Sequence, residues 1–399
     1  MIGESRRLKA VQAPVIPILS TWIAETPGTI SLGQGIVSYG PPRAAIEAAR
    51  RFGGDVDDHR YGPVEGVPSL VAAFEAKFRT DNGIVVQPDS RVAVTAGSNL
   101  AFMNAILAIT DPGDEVILQT PFYFNHDMAI VMAGAVMVPV ATTRAYQLDL
   151  EAIAAAITPR TRAVVTVSPN NPTGVVYDEA SLRAVNDLCR ARGIFHIHDE
   201  AYEYFTYGDV RPFSPGSISG AAAHTISLFS LSKAFGMASW RIGAMVIPFS
   251  LWDAVNKVQD TILICASHVS QAAAVAALGV GRAHARAHLP ALDAMRKTIF
   301  QTLNASDVPC DVFESPGAFY YFLKVHTALD SMTLSERLVR EHRVAAIPGS
   351  AFGMHDGTYL RISYGALEAS RAQDGLGRLV SGLKALAPRT SHHAPRTDA

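Results

Sequence analysis

SLFSLSKAFGMASWRIG, Ser227 to Gly243, is the stretch whose reading decides this fold. Lys233 follows the small hydroxyl residues Ser227, Ser230 and Ser232 and precedes Arg241, with Gly236 and Gly243 placed where backbone can approach a ligand closely. Its neighbours Leu228, Phe229, Leu231, Ala234 and Phe235 are apolar. An amine in such surroundings is disfavoured as an ammonium, and the lowered pKa suits a Schiff-base nucleophile. Serines and an arginine are the groups that hold a phosphate. An amine beside a phosphate site points to pyridoxal phosphate.

Two other readings of the stretch compete. A packed strand and turn with a snorkelling lysine needs no ligand at all. Ser230 and Lys233 also spell S-x-x-K, the acylating motif of penicillin-binding proteins, with Ser168-Pro169-Asn170 as a second element. The third element, K-T-G, is missing, because Lys297-Thr298 is followed by Ile299.

The 399 residues exceed what one compact layer holds, so one large domain and a smaller one are expected. Apolar residues make up 49% and charged ones 18%, the composition of a packed α/β chain. A net charge of −2 carries no electrostatic footprint for nucleic acid or an anionic membrane, which leaves small molecules and a second copy of the chain as partners. Cys189, Cys265 and Cys310 show no C-x-x-C spacing and read as free thiols in a reducing compartment. With a charged start and no apolar run of membrane-spanning length, the expected location is cytoplasmic.

Pro14, Pro17 and Pro27 mark the first forty-odd residues as an irregular arm, ending in the turn Leu32–Pro42. Helices are expected at 44–51 and 68–82, separated by the glycine-rich loop His59–Gly66 with an exposed Tyr61. From Arg91 strands and helices alternate. The strands are 92–95, 115–119, 136–140, 163–168, then IFHIHDE and TISLFS; the helices are 100–109, 125–132 and 179–192. Strands this apolar imply a parallel sheet covered on both faces, with ligands beyond the strands' carboxyl ends. Helices at 251–263 and 281–303 leave the sheet. Shorter strands in AFYYFLKV, AAIP and YLRISY, with helices at 334–342 and 367–387, then read as a second, α+β domain joined by the arm.

The loops after the strands carry the candidate site. AGSN before the helix at 100 offers free backbone N–H groups to an anion. Asp199, just past a buried strand, is a carboxylate able to keep a pyridine nitrogen protonated, or a simple cap of the next turn. His196 and His198 share a face as a metal pair would, yet no third ligand accompanies them, so packed histidines are the better reading.

SLSKAFGMASWRIG, NNPTG, HDEAY and YLRISYG, in this order and spacing, resemble the class I and II aminotransferases of the fold-type I pyridoxal phosphate enzymes, from LGQG to the terminal helix. The resemblance implies an α/β fold: a large domain of mostly parallel sheet between helices (residues 46–285), and a small α+β domain (286–390) shared with the arm (1–45) and followed by a disordered tail (391–399). It implies pyridoxal 5′-phosphate as cofactor, no metal, and a homodimer. Lys233 would hold the cofactor covalently and shuttle the proton. Asp199 would pair with the ring nitrogen, while Asn171 and Tyr202 face the ring hydroxyl. Ser98, Asn99, Ser230, Ser232 and Arg241 would hold the phosphate, Tyr123 would stack on the ring, and Tyr61 would cross to the neighbour's phosphate. Arg361, with Gly35 and Asn171, would bind the substrate carboxylate, since a guanidinium grips a carboxylate by two parallel bonds.

Departures from the family pattern bear on the substrate. Ile36-Val37 replaces the phenylalanine-proline of many relatives, and Asn99 stands where some aspartate-using ones carry lysine. No second arginine for a side-chain carboxylate is evident, although His59 and Arg60 lie near the expected site. The reaction implied is amino transfer from an L-amino acid, neutral or aromatic favoured and aspartate not excluded, to a 2-oxo acid such as 2-oxoglutarate. The same residues would serve a pyridoxal lyase or specialised biosynthetic enzyme, and a non-catalytic pyridoxal sensor is the alternative of a different class.

Overall fold

The computed structural model describes residues 3–388. The expected tail at 391–399, and the last two residues of the expected small domain, lie outside the described residues.

The arm departs from expectation because it is largely helical. It forms α1 (Arg6–Ala10) and α2 (Val15–Glu25). Its prolines do not break α2: Pro14 caps it and Pro17 sits in its first turn, where the N–H has no intrahelical acceptor to lose. Val15 and Leu19 are buried in one apolar cluster with Phe124, Phe322, Ile347 and Phe352. After β1 (Ile30–Ser31), α3 (Arg43–Arg51) and α4 (Pro68–Lys77) follow as expected. A π turn extends α4 to Asn82, and Leu70, Phe74 and Phe78 share its buried face.

The alternating region consists of β2 (Ser90–Thr95), α5 (Ser98–Ile109), β3 (Glu115–Thr120), α6 (Phe124–Ala133), β4 (Val136–Ala141), α7 (Leu150–Ala156), β5 (Thr161–Val167), α8 (Glu179–Arg192), β6 (Phe195–Asp199), β7 (Thr225–Ser230) and β8 (Gly243–Pro248). These strands make one seven-stranded sheet in the order β2-β8-β7-β6-β5-β3-β4. All neighbours are parallel except that β8 runs antiparallel to both β2 and β7. The link from β7 to β8 holds turns but no α-helix to carry the chain across the sheet, so the strand simply returns beside its predecessor. That link carries Lys233. Both sheet faces are covered: along β8, Ala244 and Val246 join one core cluster, Met245 and Ile247 another.

α9 (Trp252–Ile262) and α10 (His268–Val280) precede α11 (Ala283–Leu303), which leads away from the sheet. α10 is not expected from the sequence. It is alanine-rich and carries no polar face to give a helical period, since it packs against both α3 and α4. The remaining elements are β9 (Cys310–Val312), β10 (Tyr320–Val325), α12 (Ser331–His342), β11 (Val344–Ala345), β12 (Ile347–Pro348), β13 (Thr358–Ser363) and α13 (Ala369–Ala385). The expected strand AAIP is split: β12 joins an antiparallel sheet β12-β13-β10-β9, while β11 pairs in parallel with β1 of the arm, Ile30 opposite Val344. No helix among the described residues is long and apolar enough to cross a membrane.

Candidate active site

Beyond the carboxyl ends of β5, β6 and β7 lies a cavity of ≈ 600 Å³. Lys233, Asp199, Tyr202, Asn171, Tyr123, Ser98, Asn99, Ser230, Ser232, Arg241, Gly35 and Arg361 all line it. Tyr61 does not. It is 82% exposed on its own loop. His59 and Arg60 are also outside the cavity: the His59 ring meets the Gly53 carbonyl and Arg60 pairs with Asp57 at 2.7 Å. They do not supply an acid-binding group to this chain's own site, because the single 3₁₀ turn at Val56–His59 and these contacts hold them on their own loop.

Lys233 is half-buried, and its ammonium donates to the carbonyl of Gly35. Burial, helped by the positive charges of Arg361 and Arg241, pulls its pKa down from 10.5 to about 8. Asp199 is 3% exposed at the end of β6. Its Oδ1 accepts from the Ala201 N–H at 3.0 Å, and its Oδ2 lies 3.2 Å from His126 Nε2. His126 stacks on Phe102 with centroids 4.0 Å apart.

Arg361, Asn171, Tyr202 and Tyr320 form a closed ring of contacts. Arg361 Nη1 donates to Asn171 Oδ1 (2.8 Å), Asn171 Nδ2 to the Tyr202 hydroxyl (3.3 Å), and the two phenols share a hydrogen bond of 2.8 Å. The guanidinium closes the ring over Tyr320, 4.6 Å from its centroid. Arg361 Nη2 donates to the Gly33 carbonyl, which leaves Nε buried with no partner. A buried guanidinium with a donor to spare fits a carboxylate.

At the other end of the cavity, α5 begins after Gly97 (φ 80°) with no side chain capping it, so its first N–H groups stay available to an anion. Arg241, itself at φ 49°, lies against this turn: a Cβ on Gly97 would come 2.7 Å from its Nη2, and its Nη1 is 3.5 Å from Ser232 Oγ. Guanidinium, serine hydroxyls and helix start together fit a phosphate. A phosphate cradle, an aldehyde-reactive amine and a buried carboxylate in one cavity fit pyridoxal phosphate.

Sequence reasoning missed Tyr320, His126 and the Val15-Ile16 wall from α2. Each comes from an element distant in sequence from the motifs it serves; only the aromatic run of AFYYFLKV hinted at Tyr320. The histidine pair reads as packing. Thr166 Oγ1 lies 2.7 Å from His196 Nε2 and 2.6 Å from His198 Nδ1. Burial lowers both pKa values, that of His198 to about 4. No cluster of metal-ligating residues occurs among the described residues.

The family model for "Aminotransferase class I and II" matches residues 27–379. The chain belongs to that family. Among its relatives, an aromatic aminotransferase of Arabidopsis thaliana is 32% identical, with 96% of each chain covered. An aspartate aminotransferase of Pyrococcus abyssi is 31% identical over 96% of this chain and 99% of its own. The solved aspartate aminotransferase of Thermus thermophilus with maleate superposes with a TM-score of 0.88 at 32% identity, covering 96% of this chain and 100% of its own. The protein is a pyridoxal phosphate-dependent aminotransferase of fold type I. Its substrates are accordingly amino acids and 2-oxo acids.

Proposed function

We propose that this aminotransferase takes an L-amino acid with a neutral or aromatic side chain as donor and 2-oxoglutarate or a similar 2-oxo acid as acceptor. The observation carrying this reading is how the cations of the cavity are used. Arg361 faces Asn171, Arg241 lies at the phosphate end, and Lys233 is the reacting amine. No fourth cation lines the cavity among the described residues, while Val15, Ile16 and Ile36 supply an apolar wall. A side-chain carboxylate placed there would be desolvated without a partner.

The bound cofactor supplies a ring that accepts the electron pair released when the Cα–H bond breaks. The chain's residues do the rest in this proposal. Lys233, its pKa lowered towards neutrality by burial, would hold the cofactor and move the proton at the substrate's Cα. Asp199, oriented by His126, would keep a proton on the pyridine nitrogen. Asn171 and Tyr202 would serve the ring hydroxyl, and Tyr123 would pack on the ring. Ser98, Asn99, Ser230, Ser232 and Arg241 would hold the phosphate. Arg361 would clamp the α-carboxylate beside Gly35, an orientation that selects proton loss over decarboxylation.

The proposal includes a homodimer in which Tyr61 reaches the neighbour's phosphate site, since its ring is exposed and idle in its own chain. It divides the chain into a large domain at 46–285 and a small one at 286–390 joined by the arm, supported by the β1–β11 pairing. It also places the protein in the cytoplasm, supported by three free cysteines. Burial pushes the Cys189 and Cys310 thiols up to about 12.

A panel of twenty L-amino acids assayed with 2-oxoglutarate tests the donor. Tryptophan, tyrosine, phenylalanine or an aliphatic donor should exceed aspartate in kcat/KM; the reverse order would establish the acidic donor, the reading favoured by the names of the Pyrococcus and Thermus relatives. Light scattering checks the dimer, and an active monomer would refute it.

A further inference from the structure

The turn that presents Lys233 is held from outside the cavity by a side chain with no part in the family motifs quoted above. The Tyr39 hydroxyl donates to the main-chain carbonyl of Lys233 at 3.1 Å and lies 3.4 Å from that of Ala234. Its ring is clamped from α11: His288 stacks on it face to face, with centroids 3.7 Å apart and planes 5° from parallel. His284 meets it edge-on at 5.4 Å, and His284 Nε2 also contacts the Gly40 carbonyl at 3.0 Å. Backbone packs on backbone beside this contact, since a Cβ on Gly236 would come 2.5 Å from the Tyr39 carbonyl oxygen.

We propose that Tyr39 is a positioning residue for Lys233, clamped by His288 and His284 so that the seating of α11 sets where the reacting amine stands. The loop that carries Tyr39 makes two further contacts in the site. Its Gly33 carbonyl accepts from Arg361 and its Gly35 carbonyl from the Lys233 amine. One loop therefore touches the substrate-facing arginine, the lysine's amine and the lysine's own main chain. The tyrosine hydroxyl is the side-chain bond that keeps the last two in register. A lysine stem has four rotatable bonds, so an amine at its tip is only as well placed as the Cα behind it. Reaction at that amine depends on alignment, where small displacements cost rate rather than affinity. α11 leads from the sheet towards the small antiparallel sheet, so a change in its seating would reach the lysine through this stack.

The inference rests on Lys233 being the residue that holds the cofactor, which borohydride reduction and peptide mapping test separately: label at a residue other than 233 sinks that reading, whatever Tyr39 does. With label at 233 in wild type and variant, Tyr39→Phe keeps the ring stack and loses the hydrogen bond. Expected are a fall in kcat of about tenfold with donor KM within about twofold. The apoenzyme's capture of pyridoxal phosphate at Lys233, followed by absorbance, should slow by a similar factor. His288→Ala should produce the same pattern in weaker form, and His288→Phe, which keeps a flat ring against Tyr39, should restore both rates. Wild-type kcat and capture rate in Tyr39→Phe would overturn the proposal. So would kcat and KM changing together with a lowered Tm and an unchanged capture rate, which would reduce the contact to packing.

Discussion

His126 Nε2 stands 3.2 Å from Asp199 Oδ2, and both side chains are almost wholly removed from solvent. An ionised carboxylate only accepts, so the proton of this bond sits on Nε2. The other ring nitrogen, Nδ1, is buried with no partner in the structure. The histidine bonds to Asp199 alone and holds Oδ2, while the Ala201 N–H holds Oδ1, so the carboxylate is fixed in orientation by both contacts.

Asp199→Asn should therefore lower kcat by about a hundredfold or more, because a fixed charge is lost opposite the ring. His126→Phe keeps the stack on Phe102 but donates nothing. It should weaken cofactor binding by roughly tenfold, in line with a hydrogen bond to a charged group. Absorbance titration of each apoenzyme with pyridoxal phosphate, alongside steady-state kinetics, measures both effects.

Lys233 should react as an amine of pKa about 8. Only the neutral form attacks an aldehyde, and with the pKa lowered from 10.5 about one amine in ten is neutral at pH 7. The rate at which apoenzyme takes up pyridoxal phosphate should rise with pH and level off just above 8; a rise continuing towards pH 10 would show an ordinary solvated lysine. Removing the positive charge by Arg361→Gln should move the plateau to higher pH, since that charge disfavours the ammonium.

Gly35→Ala would put a methyl group onto the Tyr320 hydroxyl. Tyr320 is fully buried and bonded to Tyr202, so it has no free volume to yield. The variant should lose about 1–3 kcal/mol of stability through overpacking. It should lose donor turnover as well, because the shift passes through Tyr202 and Asn171 to Arg361. Thermal unfolding and the donor half-reaction, followed by the conversion of the cofactor's aldehyde absorbance to that of its amine form, read the two effects separately.

Behind the site, Lys77 Nζ meets Glu203 at 2.5 Å with both side chains buried, and Asn82 donates to the same carboxylate. The ammonium also lies 4.3 Å from the Phe229 ring centroid. Lys77→Met removes the cation and leaves Glu203 uncompensated, which should cost about 3–5 kcal/mol. Glu200 is its neighbour, pushed up to about 8 by burial and by the charge of Glu203. In Lys77→Met the loss in Tm should be larger above pH 8 than at pH 6, because Glu200 then ionises without the Lys77 charge that favours its carboxylate. A pH-independent loss would contradict that account.

Most of the residues that line the cavity were legible in the sequence, and for one reason. Lys233, Asp199, Asn171, Ser98 and Asn99 each lie at or a few residues past the carboxyl end of a strand of the sheet, so apolar strand patterning locates them without knowledge of their neighbours. The arm was read less well. Its prolines suggested irregular chain, but whether a proline breaks a helix depends on its position within the first turn, and Pro17 occupies a harmless one. α10 escaped because a helix packed on two sides shows no polar stripe.

The amino-acid sequence by itself determined the fold class, the family and Lys233 as the candidate amine, because strand–turn–helix patterning and the motif residues are local in the chain. Tertiary structure alone decided what surrounds them: His126 against Asp199, Tyr320 in the Arg361 ring, Val15 and Ile16 on the cavity wall, and Tyr39 on the lysine turn. Those partners are brought in by packing between elements far apart in sequence. Burial is likewise a property of the packed assembly, and it is burial that lowers the Lys233 pKa to about 8.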